Sequence, residues 1–243
     1  MRRGVRKISK IPPEILVQLN QGNIESATLV ESLAIDFDQL AKSLNLNIKP
    51  FKEKSIIKRM QYYGLQIDDW QEFKNHLSDT IRGWCAFSLA QKSHLTFEQK
   101  LQEMLFFADD HHFGVREWAW LSIRNQIIEN LDQSLKILTP LTIHKSANIR
   151  RFACEITRPR GVWCQHIKKL KEQPWLAIDI LENLKTDSSK YVQNSIGNWL
   201  NDASKDNSIW VLETCKSWQK INNLNTNYIA KRGCRTITKK PRN

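Results

Sequence analysis

Apolar residues along this chain recur with a helical period. In residues 99–107, Leu101, Met104, Leu105 and Phe106 or Phe107 keep to one face, and residues 26–36 and 51–60 show the same amphipathic spacing. A longer period overlies the short one. Four segments align around the β-branched anchors Ile81, Val115, Ile149 and Val192, which are 34, 34 and 43 residues apart. Each anchor is followed by a polar residue and then, at the fourth or fifth position, a small one (Cys85-Ala86, Ala119, Ala153-Cys154, Gly197). A period of this length suits a helix pair that cannot bury its apolar stripe alone and stacks on its neighbours. The prediction is an all-α, HEAT-like helical-repeat solenoid whose second helices line a concave groove. Residues 1–243 read as a single domain, with capping helices over 21–79, HEAT-like repeats over 80–235, and loose order over 1–20 and 236–243.

Composition supports that class. The chain has 41% hydrophobic and 26% charged residues, ordinary for a globular protein, and only 8 Gly and 7 Pro, too few for a many-turned β-sandwich. Charge adds a functional clue. With 37 Lys+Arg against 25 Asp+Glu, the net charge is +12. Polyanions are therefore the expected partners, through counterion release from nucleic-acid phosphates or attraction to an anionic membrane surface. The basic N-terminus has no apolar run after it, because Lys10, Pro12, Pro13 and Glu14 interrupt it, and no stretch of about 18 apolar residues occurs elsewhere. A cytoplasmic protein without a membrane span is expected. The five cysteines are scattered with no C-x-x-C pair and read as reduced thiols. Asp109-Asp110-His111-His112 does not read as a metal site, since neighbours on a helix point about 100° apart.

The segments Val115 to Trp120, Ile149 to Arg160 with Trp163 following, and Tyr191 to Lys205 together resemble the bacterial DNA alkylation repair (AlkC/AlkD) glycosylase family, the AlkC branch more than the AlkD branch. Residues 29–36 and 228–235 are also similar, so the likeness covers most of the chain. Its most specific part is Arg151-Phe152-Ala153-Cys154-Glu155-Ile156-Thr157-Arg158-Pro159-Arg160, because a generic helical repeat has no reason to place two arginines around a proline there. Gln193-Asn194 stand where arginines are expected in relatives, and an appended immunoglobulin-like domain of the kind some relatives carry is not expected. The resemblance implies a monofunctional DNA N-glycosylase that excises N-alkylated, cationic bases such as 3-methyladenine-type lesions in base excision repair. Double-stranded DNA carrying such bases would be the partner and a monomer the working form, with neither metal nor organic cofactor.

Such a reaction needs a fixed carboxylate near the sugar, where positive charge grows as the glycosidic bond breaks. Glu155, Asp202 and Glu117 are the candidates, at offsets +6, +10 and +2 from their anchors. Their alternative roles are structural: Arg151 and Glu155 are spaced for a helix-surface ion pair, and Asp202 for capping a turn. Among nine tryptophans, Trp84, Trp118, Trp210 and Trp218 read as core. Trp163, on a loop after a helix break, and Trp199 and Trp120, each three residues from an acid, read as lesion- or sugar-contacting aromatics. Arg158 and Arg160 suit bidentate phosphate contacts, and Arg116, Arg150, Lys231, Arg232, Arg235, Lys239 and Lys240 extend a sequence-independent basic track. Two other readings stand beside this one: a non-catalytic HEAT-repeat protein that recognises damaged or branched DNA, and a protein-interaction scaffold.

Overall fold

The computed structural model describes residues 2–238; Lys239 and Lys240 of the expected basic track lie outside the described residues. The described residues form an all-α helical-repeat fold without a strand, and none of the helices among them is long and apolar enough to cross a membrane. Where the sequence reads as one solenoid domain, the chain packs as two compact units, with the division between Ile123 and Arg124.

The first unit begins with a 3-10 turn, Ile8–Lys10, and helices α1 (Pro13–Asn20), α2 (Leu29–Ala34), α3 (Phe37–Ser43), α4 (Ile56–Leu65) and α5 (Trp70–Phe73). It continues with α6 (Asp79–Ala90), α7 (Phe97–Ala108) and α8 (Phe113–Glu129), within which the division falls. Thr28, Asp36 and Ser55 accept backbone N–H bonds at helix starts, and Thr96 with Gln99 forms a capping box on α7, so orphan amides are satisfied locally. Phe37, Tyr63 and Trp84 meet at centroid distances of 5.1–5.4 Å and form the aromatic centre of this unit. Arg2 and Val5, within the stretch expected to be loosely ordered, share one carboxylate partner. Arg2 donates to both oxygens of buried Glu31, at 3.0 and 2.5 Å, and the Val5 amide donates to the same carboxylate. The partner lies 29 residues along the chain from Arg2, which local composition does not reveal.

The second unit holds α9 (Leu131–Leu138), a 3-10 turn (Thr139–Ile143), α10 (Ala147–Glu155), α11 (Lys168–Glu172) and a 3-10 turn (Pro174–Ala177). Helices α12 (Ile178–Leu184), α13 (Lys190–Ala203), α14 (Ser208–Gln219) and α15 (Leu224–Gly233) complete it.

The sequence repeat has a structural counterpart. Ile81, Val115, Ile149 and Val192 are each the third residue of their helix, at 0–2% exposure. A fifth anchor exists: Thr226 is the third residue of α15, fully buried, 34 residues after Val192. The residue after the anchor turns back to clamp the loop that enters the helix. Arg82 donates to the carbonyls of His76 and Leu77, Arg116 to those of Asp110 and His111, and Arg150 to those of His144 and Lys145. Gln193 keeps one of these bonds, to the Asp187 carbonyl. Arg82 also pairs with Asp110, and Arg150 with Asp187, each carboxylate standing five residues before the next anchor. The repeat spacing is thus reinforced by a polar ladder as well as by apolar stacking.

Candidate functional site

In the second unit, α10 and the turn after it place Arg151, Glu155 and Arg158 at helical i, i+4, i+7 spacing, facing Ser195 and Asp202 of α13. Arg158 joins the two acids. Its Nη1 donates to Glu155 Oε1 at 2.6 Å, while Nε and Nη2 donate to Asp202 Oδ2 at 2.9 and 2.7 Å. Glu155 Oε2 accepts from the Ser195 hydroxyl at 2.6 Å and lies 3.5 Å from Arg151. Burial works to protonate Glu155, but the charges of Arg151 and Arg158 and the Ser195 hydroxyl outweigh it and hold the carboxyl below its ordinary pKa. Burial likewise opposes the charge on Arg158, yet Glu155 and Asp202 raise its pKa.

The two carboxylates, each 4% exposed, differ in what remains available. Both oxygens of Glu155 are held by short hydrogen bonds. Asp202 has Oδ2 fixed by Arg158, whereas its Oδ1 accepts one long bond, at 3.4 Å, from Lys205, whose side chain is 41% exposed. Among the described residues, the one hydrogen-bond donor to that oxygen is therefore a surface lysine.

A stiffened loop leaves this network. Arg124, fully buried, donates to the carbonyls of Ile156 and Arg158 at 2.6 Å and of Gln165 at 3.1 Å, gripping both ends of the segment that carries Trp163. Trp199 is fully buried and donates its indole N–H to the Thr157 carbonyl at 3.0 Å, so it fastens the same segment from beneath. Gly161 is needed because a Cβ there would collide with the Cys164 sulfur. Trp163 sits at the tip, 47% exposed, with φ of 61°, a left-handed conformation unusual for a bulky residue and a mark of local strain. Arg160 grips Asp206 in a bidentate pair at 2.8–3.1 Å.

The other residues singled out from the sequence make the following contacts. Glu117 and Trp120 belong to the first unit, where Trp120 is buried and its indole N–H donates to Glu117 Oε2 at 2.7 Å, as their three-residue spacing predicts. Arg116 and Arg150 act as loop clamps, as described above. Lys231 is exposed on α15, and Arg232 and Arg235 gather on Asn198 of α13. Sequence reasoning missed Arg124, Ser195 and Asn198. A signal for the first was present: Arg124, Arg158 and Arg235 all stand nine residues after an anchor, counting Thr226 as one.

No family model matches the chain. Part of it, 119 residues or 49% of the chain, is 33% identical to an uncharacterized Bacillus subtilis protein, YhaZ, of whose length the match spans 33%.

The fold is an AlkC-like helical repeat.

A Pseudomonas fluorescens alkylpurine DNA glycosylase AlkC, bound to DNA containing an abasic site analog, superposes with a TM-score of 0.61 at 20% identity. The match covers 96% of this chain and 65% of that one. The protein smu.31 of Streptococcus mutans superposes with a TM-score of 0.54 at 24% identity, over 75% of this chain and 84% of that one.

Proposed function

We propose that the chain is a monofunctional DNA glycosylase of the AlkC/AlkD family, nearest the AlkC branch, which excises N-alkylated, cationic bases from duplex DNA. It would act as a cytoplasmic monomer in base excision repair without metal or organic cofactor. The observation that carries this reading is the unequal pair of carboxylates: Glu155 fully engaged, Asp202 with one oxygen held only by a long bond from exposed Lys205. Support comes from the shared fold with a glycosylase bound to an abasic-site analog.

Alkylation at a ring nitrogen gives the base a positive charge, so it departs with the bonding electron pair as a neutral molecule. Positive charge then grows on the deoxyribose. Asp202 Oδ1 would face that charge once Lys205 turns toward a phosphate, and would accept a proton from the water that attacks the sugar carbon. Arg158, fixed from its other side by Glu155, holds Asp202 in place. Glu155 is on this reading a positioning residue, and exposed Trp163 supplies an aromatic face to the cationic base.

The non-catalytic reading also has an observation in its favour, since both acids are buried and matched by Arg158 and would serve as scaffolding. Single-turnover release of methylated bases from alkylated duplex DNA separates the two. Release by the wild type supports the glycosylase; salt-sensitive binding with no release leaves a DNA-binding protein.

A further inference from the structure

Helices α13 and α15 cross closely because two glycines face the contact. A Cβ on Gly197 would lie 2.7 Å from Arg232 Cδ, and one on Gly233 would lie 2.8 Å from Leu200 Cβ. The aliphatic stem of Arg232 is therefore laid across Gly197. Its Nε donates to Asn198 Oδ1 at 3.2 Å, and Arg235 Nη2 donates to the same oxygen at 3.1 Å. Arg235 Nη1 is braced by the carbonyls of Gly197 and Arg232. Two guanidinium donors converging on one atom also fix the Asn198 amide, with Oδ1 toward the arginines and the NH2 turned away.

An amide oxygen satisfies geometry but brings no negative charge. Arg158 has two carboxylate partners and Arg150 and Arg160 one each, whereas no carboxylate among the described residues pairs with Arg232 or Arg235. Burial and the adjacent charge of Arg232 together lower the pKa of Arg235. The Nη1 and Nη2 groups of Arg232 and the Nδ2 of Asn198 make no hydrogen bond to the described residues. A repulsive pair of cations, preorganised by two glycines and with both Nη groups of Arg232 unused, is suited to a tetrahedral oxyanion.

We infer that Arg232 and Arg235, positioned by Asn198, form a phosphate-binding site. Asn198 precedes Asp202 by one helical turn, about 6 Å along α13. A phosphodiester of the strand whose sugar reaches Asp202 is therefore the occupant, an assignment that rests on the proposed function; the same chemistry would also hold a free phosphate. The site converts a diffuse basic track into a defined point of registration.

Duplex binding measured against salt concentration tests this with three variants. R232Q is expected to lose about tenfold in affinity and to lower the slope of log affinity against log salt by about 1, while K216Q, an equal charge change on exposed Lys216 of α14, alters affinity by less than about twofold. N198D is the decisive variant, because it gives both arginines an internal counter-ion. It is expected to raise the melting temperature and yet weaken duplex binding, a combination that damage to the fold does not produce. Wild-type affinity in N198D, or equal losses in R232Q and K216Q, would overturn the site. If inorganic phosphate stabilises the wild type but not R232Q, and duplex affinity is the same in both, the assignment to DNA is overturned. Base release is read separately, so absence of catalysis leaves this result standing.

Discussion

The two crossings made by α13 treat arginine in opposite ways. Against α10, Arg158 lies between Glu155 and Asp202, its charge cancelled and its three donor nitrogens engaged. Against α15, Arg232 and Arg235 converge on the neutral oxygen of Asn198. The first arrangement gives up ligand-binding capacity for a fixed geometry; the second tolerates repulsion and keeps donors available. In sequence the three residues look alike, each a cation in a family-like motif. Their local counter-ions decide which of them can meet a phosphate.

Substitution should expose that contrast most strongly at Arg158. R158A leaves two buried carboxylates without their shared partner and is expected to cost about 3–5 kcal/mol, read by urea unfolding, while R232A costs less than about 0.5 kcal/mol. Comparable losses would erase the distinction between the crossings. R150Q should fall between them, at about 1–3 kcal/mol, since it strips partly buried Asp187 of its cation and frees two carbonyls. W199F should cost about 1 kcal/mol through loss of the indole bond to Thr157, with little effect on duplex affinity if Trp199 serves the fold. The smallest effect concerns pH. Because the folded-state pKa of Glu155 is depressed, its contribution is complete at neutral pH and is lost as acid protonates the folded carboxyl. The stability gap between wild type and E155Q should therefore stay constant down to the ordinary carboxyl value of about 4.3 and close below it. A gap that narrows near neutrality would mean that Glu155 is not held ionised.

The sequence discloses the repeat because stacking helices need a buried β-branched residue at the same place in every turn, and Ile81, Val115, Ile149 and Val192 supply it. Thr226 fills the same place with a hydroxyl that donates to the Lys185 carbonyl, so a pattern of apolar anchors does not include it. The acids are legible as types at offsets from the anchors, but their inequality is not. It depends on Ser195 reaching Glu155 across 40 residues and on Lys205 approaching Asp202 only loosely. Trp199 shows the limit of helical-face reasoning: three residues before Asp202 places it near the acid, yet its ring is fully buried beneath the loop. Trp163 is the reverse case, since a helix break followed by Pro159 and Gly161 already predicts an exposed aromatic on a loop. Arg124 and Asn198 escape notice because each acts on a neighbouring repeat.

The inequality of the carboxylates is tested most directly by comparing D202N and E155Q with the wild type in single-turnover base release, duplex affinity being measured alongside. That inequality requires D202N to lose at least about tenfold in rate, roughly 1.4 kcal/mol of transition-state stabilisation, while still binding DNA, and E155Q to lose less. Equal rates in D202N and the wild type, or a larger loss in E155Q than in D202N, would contradict it.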